Sequence, residues 1–121
     1  MAHHITLGRE GEELAVAHLR KLRYKIMERN YRCKFGEIDI IALDNKALVF
    51  IEVKTRASQQ FGSPQTGVTP KKQRQLTKIA LSYLQRHRSF NREARFDVVA
   101  VEMESGQKHI EVIRNAFEVS L

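Results

Sequence analysis

Asp39, Glu52 and Lys54 are the residues of this 121-residue chain whose types and spacing point most directly to chemistry. They lie in two apolar runs, residues 36–44 and 47–55, separated by Asp44-Asn45-Lys46, a signal for a tight hairpin. With Asn45-Lys46 as the turn, Asp44 opposes Ala47 and every opposed pair has residue numbers that sum to 91. A four-residue loop gives the same register. One face then carries Ile38/Val53, Ile40/Ile51 and Ala42/Val49, wholly apolar as a buried sheet surface requires. The other carries Leu43/Leu48 and Ile41/Phe50 near the turn, then Asp39 across from Glu52 and Glu37 across from Lys54 at the open end. A three-residue loop would put Asp39 and Glu52 on opposite faces and mix the apolar set, so the hydrophobic pattern selects the first register.

Directly opposed residues have Cβ atoms roughly 4.5–5.5 Å apart, close enough for two carboxylates to share a divalent cation and repulsive without one. Lys54 follows Glu52 by two positions and shares its face, within about 7 Å along the strand. An ammonium beside two metal-binding acids suits phosphodiester hydrolysis: the cation polarises the phosphate and acidifies water, and the lysine positions that water or stabilises negative charge. Oxygen-only ligands favour Mg²⁺ or Mn²⁺ over zinc. The competing reading is a plain charge ladder with a Glu37–Lys54 salt bridge. It accounts for that pair but not for two facing acids inside apolar strands.

Other elements must hold this hairpin. A helix is expected over residues 8–22, with Thr6 as its cap and Ala15, Val16, Leu19 and Leu22 as its apolar stripe. Glu12 precedes that stripe at i+3, i+4 and i+7, so its carboxylate falls on the inward face and needs a partner; alternatively it only complements the helix dipole. Residues 24–31 read as a strand with basic flanks. Residues 55–69, with Gly62, Ser63, Pro64 and Gly67, read as a long loop leaving from the active edge and able to cover a substrate. Thr69-Pro70 then starts a helix packed through Leu76, Ile79, Ala80, Tyr83 and Leu84. Lys71, Lys72 and Arg74 crowd its N-terminus, which suits either phosphate binding or a solvated end. Phe96, Val98 and Ala100 form a strand that turns at Ser105-Gly106 toward another through Ile110 and Val112, and Arg95 and Asp97 read as polar sheet residues. One helix and three strands, then one helix and two strands, predict an α/β fold: a single domain with a central mixed β-sheet flanked by helices.

Composition narrows the partners. Apolar residues at 42% and charged residues at 29% fit a folded globular chain rather than a disordered one. No apolar run approaches a membrane span and Met1 to Thr6 lacks a secretory stretch, so the expectation is a cytoplasmic protein with no membrane partner. Cys33 is alone, which excludes an intramolecular disulfide, and with no histidine in its segment it reads as an ordinary thiol. The histidines show no zinc spacing, and no P-loop occurs. A net charge of +7 and a pI near 9.9 favour nucleic acid, either as partner or merely as what a solvated basic face resembles. Clusters at Arg29/Arg32/Lys34, Lys71/Lys72/Arg74/Lys78 and Arg86/Arg88/Arg92/Arg95 favour the first reading. The candidate nucleic-acid contacts are Arg32, Lys34, Arg56, Lys71, Lys72 and Arg74, and Tyr24, Tyr31, Phe35 and Phe61 are aromatics placed to stack bases or to pack.

Asp39 followed by Glu52-Val53-Lys54 resembles the signature of the PD-(D/E)XK nuclease superfamily. The wider wording is similar to that of the small bacterial YraN family over nearly the whole chain. It comprises Gly8-x-x-Gly11-Glu12, Asn30-Tyr31-Arg32, Gly36-Glu37-Ile38-Asp39, Val49-Phe50-Ile51-Glu52-Val53-Lys54-Thr55-Arg56, Phe61-Gly62 and Arg95-Phe96-Asp97-Val98. The resemblance implies one nuclease-like domain over residues 1–121, a restriction-endonuclease-like core similar to archaeal Holliday junction resolvases, and Mg²⁺ or Mn²⁺ as cofactor. It implies Asp39, Glu52, the Val53 carbonyl and Glu12 as metal ligands, and Lys54 as catalytic beside Asp39, Glu52 and Glu12. The departure is Ile38, where the signature has proline. The implied activity is endonucleolytic cleavage of DNA at branched or flapped structures, and resolvase-like action would require a homodimer. The alternative is a nucleic-acid-binding module that keeps the fold without catalysis.

Overall fold

Five extended runs, each apolar where it meets a helix, assemble into one sheet in the order β1-β2-β3-β4-β5. The computed structural model describes residues 3–57, 68–88 and 92–118. Its elements are α1 (His3–Lys21), β1 (Lys25–Cys33), β2 (Gly36–Asp44), β3 (Ala47–Arg56), α2 (Pro70–Arg86), β4 (Ala94–Glu104) and β5 (Gln107–Phe117). β1, β2 and β3 pair antiparallel, β3 and β4 pair parallel, and β4 and β5 pair antiparallel. The expected α/β architecture with a mixed sheet is therefore present, as a single domain. No helix among the described residues is long and apolar enough to cross a membrane.

Each sheet face carries its own core. Ala15, Val16 and Leu19 of α1 pack on Ile40, Ala42, Val49, Ile51, Val99 and Val101. Leu76, Ile79, Ala80, Tyr83 and Leu84 of α2 pack on Ile41, Leu48, Phe50, Phe96 and Val98. That even and odd positions of β2 and β3 feed different helices follows from the two-residue side-chain period of a strand. α2 begins as expected: the Thr69 hydroxyl accepts a hydrogen bond from the Lys72 N–H at 3.2 Å and proline occupies the first turn.

Several expectations need correction. α1 starts at His3, so Thr6 lies inside the helix and does not cap it. Leu22 falls just beyond the last helical residue and is exposed, so it leaves the packing stripe. The first strand runs from Lys25 rather than Tyr24, whose ring is buried ahead of it. β3 continues to Arg56, and most of the expected loop, with Phe61, lies outside the described residues.

A face switch separates the two ends of β2. Ile40 packs in the α1 core, yet Ile38, two residues away, packs in the α2 core. The neighbouring β1 does the same: Arg29 reaches the acids of α1, whereas Tyr31 packs on the α2 side. Arg29 pairs with Ile40 and Tyr31 with Ile38, so the switch falls at Asn30 and Asp39 in both strands. Asn30 has a φ of +53°, a left-handed conformation that asparagine tolerates better than most residues and that breaks strand alternation. The expected shared face for Ile38 and Val53 is consequently not formed, since Val53 packs with the α1 core.

Candidate active site

The β2–β3 register is the one the apolar pattern selects: Asp44 pairs with Ala47, Leu43 with Leu48, Ala42 with Val49, Ile41 with Phe50 and Ile40 with Ile51. The regular ladder stops there, at the face switch. Beyond it the two strands fork, and the Asp39 carboxylate accepts a hydrogen bond from the Val53 N–H at 2.8 Å. Asp39 and Glu52 are therefore neighbours as expected, but through a side chain inserted in the fork rather than through facing backbone positions.

Glu52 is almost fully buried and lies next to two ammonium groups. Lys72 Nζ is 3.5 Å and Lys54 Nζ 3.9 Å from its Oε2. Lys72 comes from the first turn of α2, which the Thr69 cap and Pro70 fix above the end of β3. Burial, with the Glu52 charge beside it, pushes the Asp39 carboxyl up to about 6, against the lowering effects of the Val53 N–H and Lys72. Both lysines contact Glu52, so the Asp39 carboxylate, held by a backbone N–H, lacks an ion pair of its own among the described residues.

Glu12 approaches from the α1 side. It lines a depression of about 360 Å³ together with Gly8, Asp39, Val53, Lys54 and Thr55. Gly11 makes this approach possible, because a Cβ there would overlap the Thr55 side chain. The inward reading of Glu12 is thus the observed one. Its immediate partner is Arg29, whose Nη2 lies 3.6 Å from Glu12 Oε1 and 2.7 Å from Glu13 Oε2. Arg29 holds Glu13 below its ordinary carboxyl range through that hydrogen bond.

Among the described residues, no three His, Cys, Asp or Glu side chains converge as a ready-made metal cage. The donor set still fits a hard divalent cation. Half-buried Asp39 and buried Glu52 are adjacent and mutually repulsive, and the Glu12 carboxylate lines the same depression as Asp39.

Other expected contacts separate from this centre. Glu37 does not reach Lys54; it pairs with Arg32 across β1 and β2 at 2.8 Å, so the charge-ladder alternative has no ion pair to rest on. Arg32 is thereby partly neutralised, although still exposed. Lys71 and Arg74 are exposed on α2, Lys72 stands in the site, Arg56 ends β3, and Lys34 occupies the β1–β2 turn. Arg95 leaves its basic cluster altogether: it is clamped by Asp97 at 2.9 Å and Asp44 at 2.7 Å. Asp97 is completely buried and also accepts from Tyr24 Oη at 2.9 Å and Asn115 N–H at 3.0 Å. That network sits near the hairpin turn, far along the strands from Asp39, and is structural. Arg29, like Arg95, was assigned by sequence reasoning to a basic cluster and instead serves acids within the fold. Its strand parity opposite the Glu12-Glu13 acids was the signal that could have found it.

Residues 11–101 match the profile of the family described as "Uncharacterised protein family UPF0102". The chain is 51% identical over 118 residues to a "UPF0102 protein" of Geobacter metallireducens, covering 98% of this chain and 97% of that one. It is 48% identical over 120 residues to a "UPF0102 protein" of Syntrophus aciditrophicus, covering 99% and 94%. A third relative, from Caldicellulosiruptor saccharolyticus, is 47% identical over 113 residues, covering 92% and 96%.

Proposed function

This chain belongs to the uncharacterised protein family UPF0102, and we propose that it is a cytoplasmic, Mg²⁺- or Mn²⁺-dependent endonuclease of the PD-(D/E)XK type that cleaves DNA at branched or flapped structures. The observation that carries the reading is the pairing of half-buried Asp39 with buried Glu52 in the strand fork, flanked by Lys54 and Lys72. The order of a helix, a three-stranded antiparallel meander and a second helix leading to a parallel strand supports a restriction-endonuclease-like, resolvase-like core.

Asp39, Glu52, the Val53 carbonyl and Glu12 are the groups that would hold the cation. When bound, it supplies positive charge to polarise a phosphodiester and to acidify water. The chain's own residues do the rest. The Val53 N–H fixes the Asp39 carboxylate in the fork, so the acid keeps its aim without help from a ligand. Lys54, at the rim of the same depression, orients the attacking water by hydrogen bonding and stabilises charge that grows on the phosphate oxygens. Lys72, now on Glu52, screens the incoming phosphate from the acids. Exposed Lys71 and Arg74, with Arg32, Lys34 and Arg56, supply the phosphate contacts expected of a chain with net charge +7. Symmetric cleavage of a four-way junction would require a homodimer, whereas a flap needs one chain.

The test is cleavage of labelled linear, flap and four-way DNA with Mg²⁺ or Mn²⁺ by wild type, Asp39→Ala and Lys54→Ala. Metal-dependent cleavage by wild type, reduced at least about 100-fold in both variants, is the expected result. Equal cleavage by the variants would assign the activity to a contaminant. The second reading, a non-catalytic nucleic-acid-binding module, is favoured by the hold of Arg29 on Glu12. It predicts salt-dependent DNA binding with no metal-dependent cleavage of any substrate.

A further inference from the structure

Phe35 and Leu81 are two of the four large hydrophobic side chains exposed among the described residues, and they sit together. They line a shallow groove of about 310 Å³ with Lys34, Lys78, Ser82 and Gln85. Phe35 is at the tip of the β1–β2 turn. Its carbonyl accepts a hydrogen bond from Gln75 Nε2 of α2 at 3.0 Å, so the backbone is anchored while the ring faces solvent. Gly36, with a φ of +134°, closes the turn against Gln75, where a Cβ would collide with the amide. The Lys34 ammonium lies 5.2 Å from the ring centroid and Lys78 lines the groove. No acidic residue lines it.

An anchored, exposed aromatic that shares its groove with two lysines has the parts of a stacking platform. It offers a flat π surface for a base once the flexible Lys34 side chain over it swings to a phosphate, and cations for the phosphates that flank that base. An apolar protein partner would not call for lysines around the ring, and a regular duplex offers no unstacked base to receive it. The groove also continues the exposed face of α2 that bears Lys71 and Arg74, one and four residues into the helix. Gly36 is three residues from Asp39 along β2, about 10 Å, so the turn that carries Phe35 lies within reach of a strand whose phosphate is at the acids.

We propose that the Phe35 groove is a single-strand subsite, in which Phe35 stacks on an unpaired base while Lys34 and Lys78 contact the adjoining phosphates. It deepens the nuclease reading and rests on it for the placement of the scissile strand, selecting substrates with an unpaired segment close to the cleaved bond.

The experiment measures fluorescence anisotropy of a labelled flapped duplex and a matched blunt duplex in EDTA, so that binding is read without cleavage. Phe35→Ala is expected to weaken flap binding by about tenfold and blunt-duplex binding by less than about twofold. Phe35→Trp restores the flap affinity. Lys34→Ala and Lys78→Ala each lower the slope of log affinity against log salt by about one. Unchanged flap affinity in Phe35→Ala, or an equal loss on both substrates, overturns the subsite. Absence of wild-type binding to the flap overturns it too. Wild type that binds the flap in EDTA with this Phe35 dependence yet cleaves no substrate once Mg²⁺ or Mn²⁺ is added counts against the nuclease reading alone.

Discussion

Asp39 closes the fork between β2 and β3 by accepting the Val53 N–H at 2.8 Å, a main-chain donor that the interrupted ladder would otherwise leave without a strand partner. A side chain that completes a sheet is held in one rotamer by the sheet. Its charge, placed beside Glu52, opposes folding for the same reason that it suits a cation.

The cost of that charge depends on pH. Asp39 titrates ordinarily at 3.8 and is raised to about 6 in the fold, so between those values the folded chain binds the proton more tightly than the unfolded one. Stability therefore falls as pH rises through this window, and the deficit is full above about 6. Asp39→Asn keeps an acceptor for the Val53 N–H and removes the charge. Urea unfolding at pH 8 should show the variant more stable by on the order of 1–3 kcal/mol, with the gap closing toward pH 4. A variant less stable than wild type at pH 8 would contradict the electrostatic account of the site.

Arg29 competes with any cation for Glu12. Arg29→Ala should raise the apparent affinity for Mn²⁺ by about two- to tenfold, read by calorimetric titration. A weaker affinity would instead mean that Arg29 orients Glu12 for coordination. Its contact with exposed Glu13 leaves the second acid solvated when the arginine is removed.

Gly11 is a packing requirement. Gly11→Ala drives a methyl group into Thr55 and should lower stability by about 1–3 kcal/mol in thermal unfolding, despite the better helix propensity of alanine. Adding Thr55→Ala removes two of the three overlapped atoms, Oγ1 and Cγ2, and should recover most of the loss. Additive effects of the two changes would show that helix and strand do not meet there as described.

Arg95 should matter to folding and not to DNA. Arg95→Ala strips the cation from fully buried Asp97 and should cost about 3–5 kcal/mol in chemical denaturation. Affinity of the folded fraction for DNA, by anisotropy at moderate temperature, should stay within about twofold of wild type, because the guanidinium is largely covered and its Nε and Nη2 already serve Asp97 and Asp44.

The hairpin register was legible because Asn45-Lys46 punctuates two runs whose apolar sets match in only one alignment, and that alignment brings Asp39 to Glu52. The α2 start was legible because Thr69-Pro70 carries cap and constraint together. The partner of Glu37 was not, since β2 is an interior strand and the hairpin accounts for only one of its two neighbours; Arg32 waited on the other. Ile38 was assigned to the wrong core for a different reason. Side-chain alternation holds only while every residue stays extended, and nothing in the spacing of apolar residues announces that Asn30 turns left-handed one strand away. Arg95 looked like surface charge because its acids, Asp44 and Asp97, come from a turn and a strand that only the assembled sheet brings together.

That left-handed residue gives the sheet a seam. On one side of Asn30 and Asp39 the strands answer to α1, on the other to α2, and the acid stands at the crossing. Neither helix alone dictates its direction, so each core can be recast in size and shape while the crossing is kept. The crossing coincides with an outer-strand asparagine at which glycine is the natural substitute and a β-branched residue the damaging one.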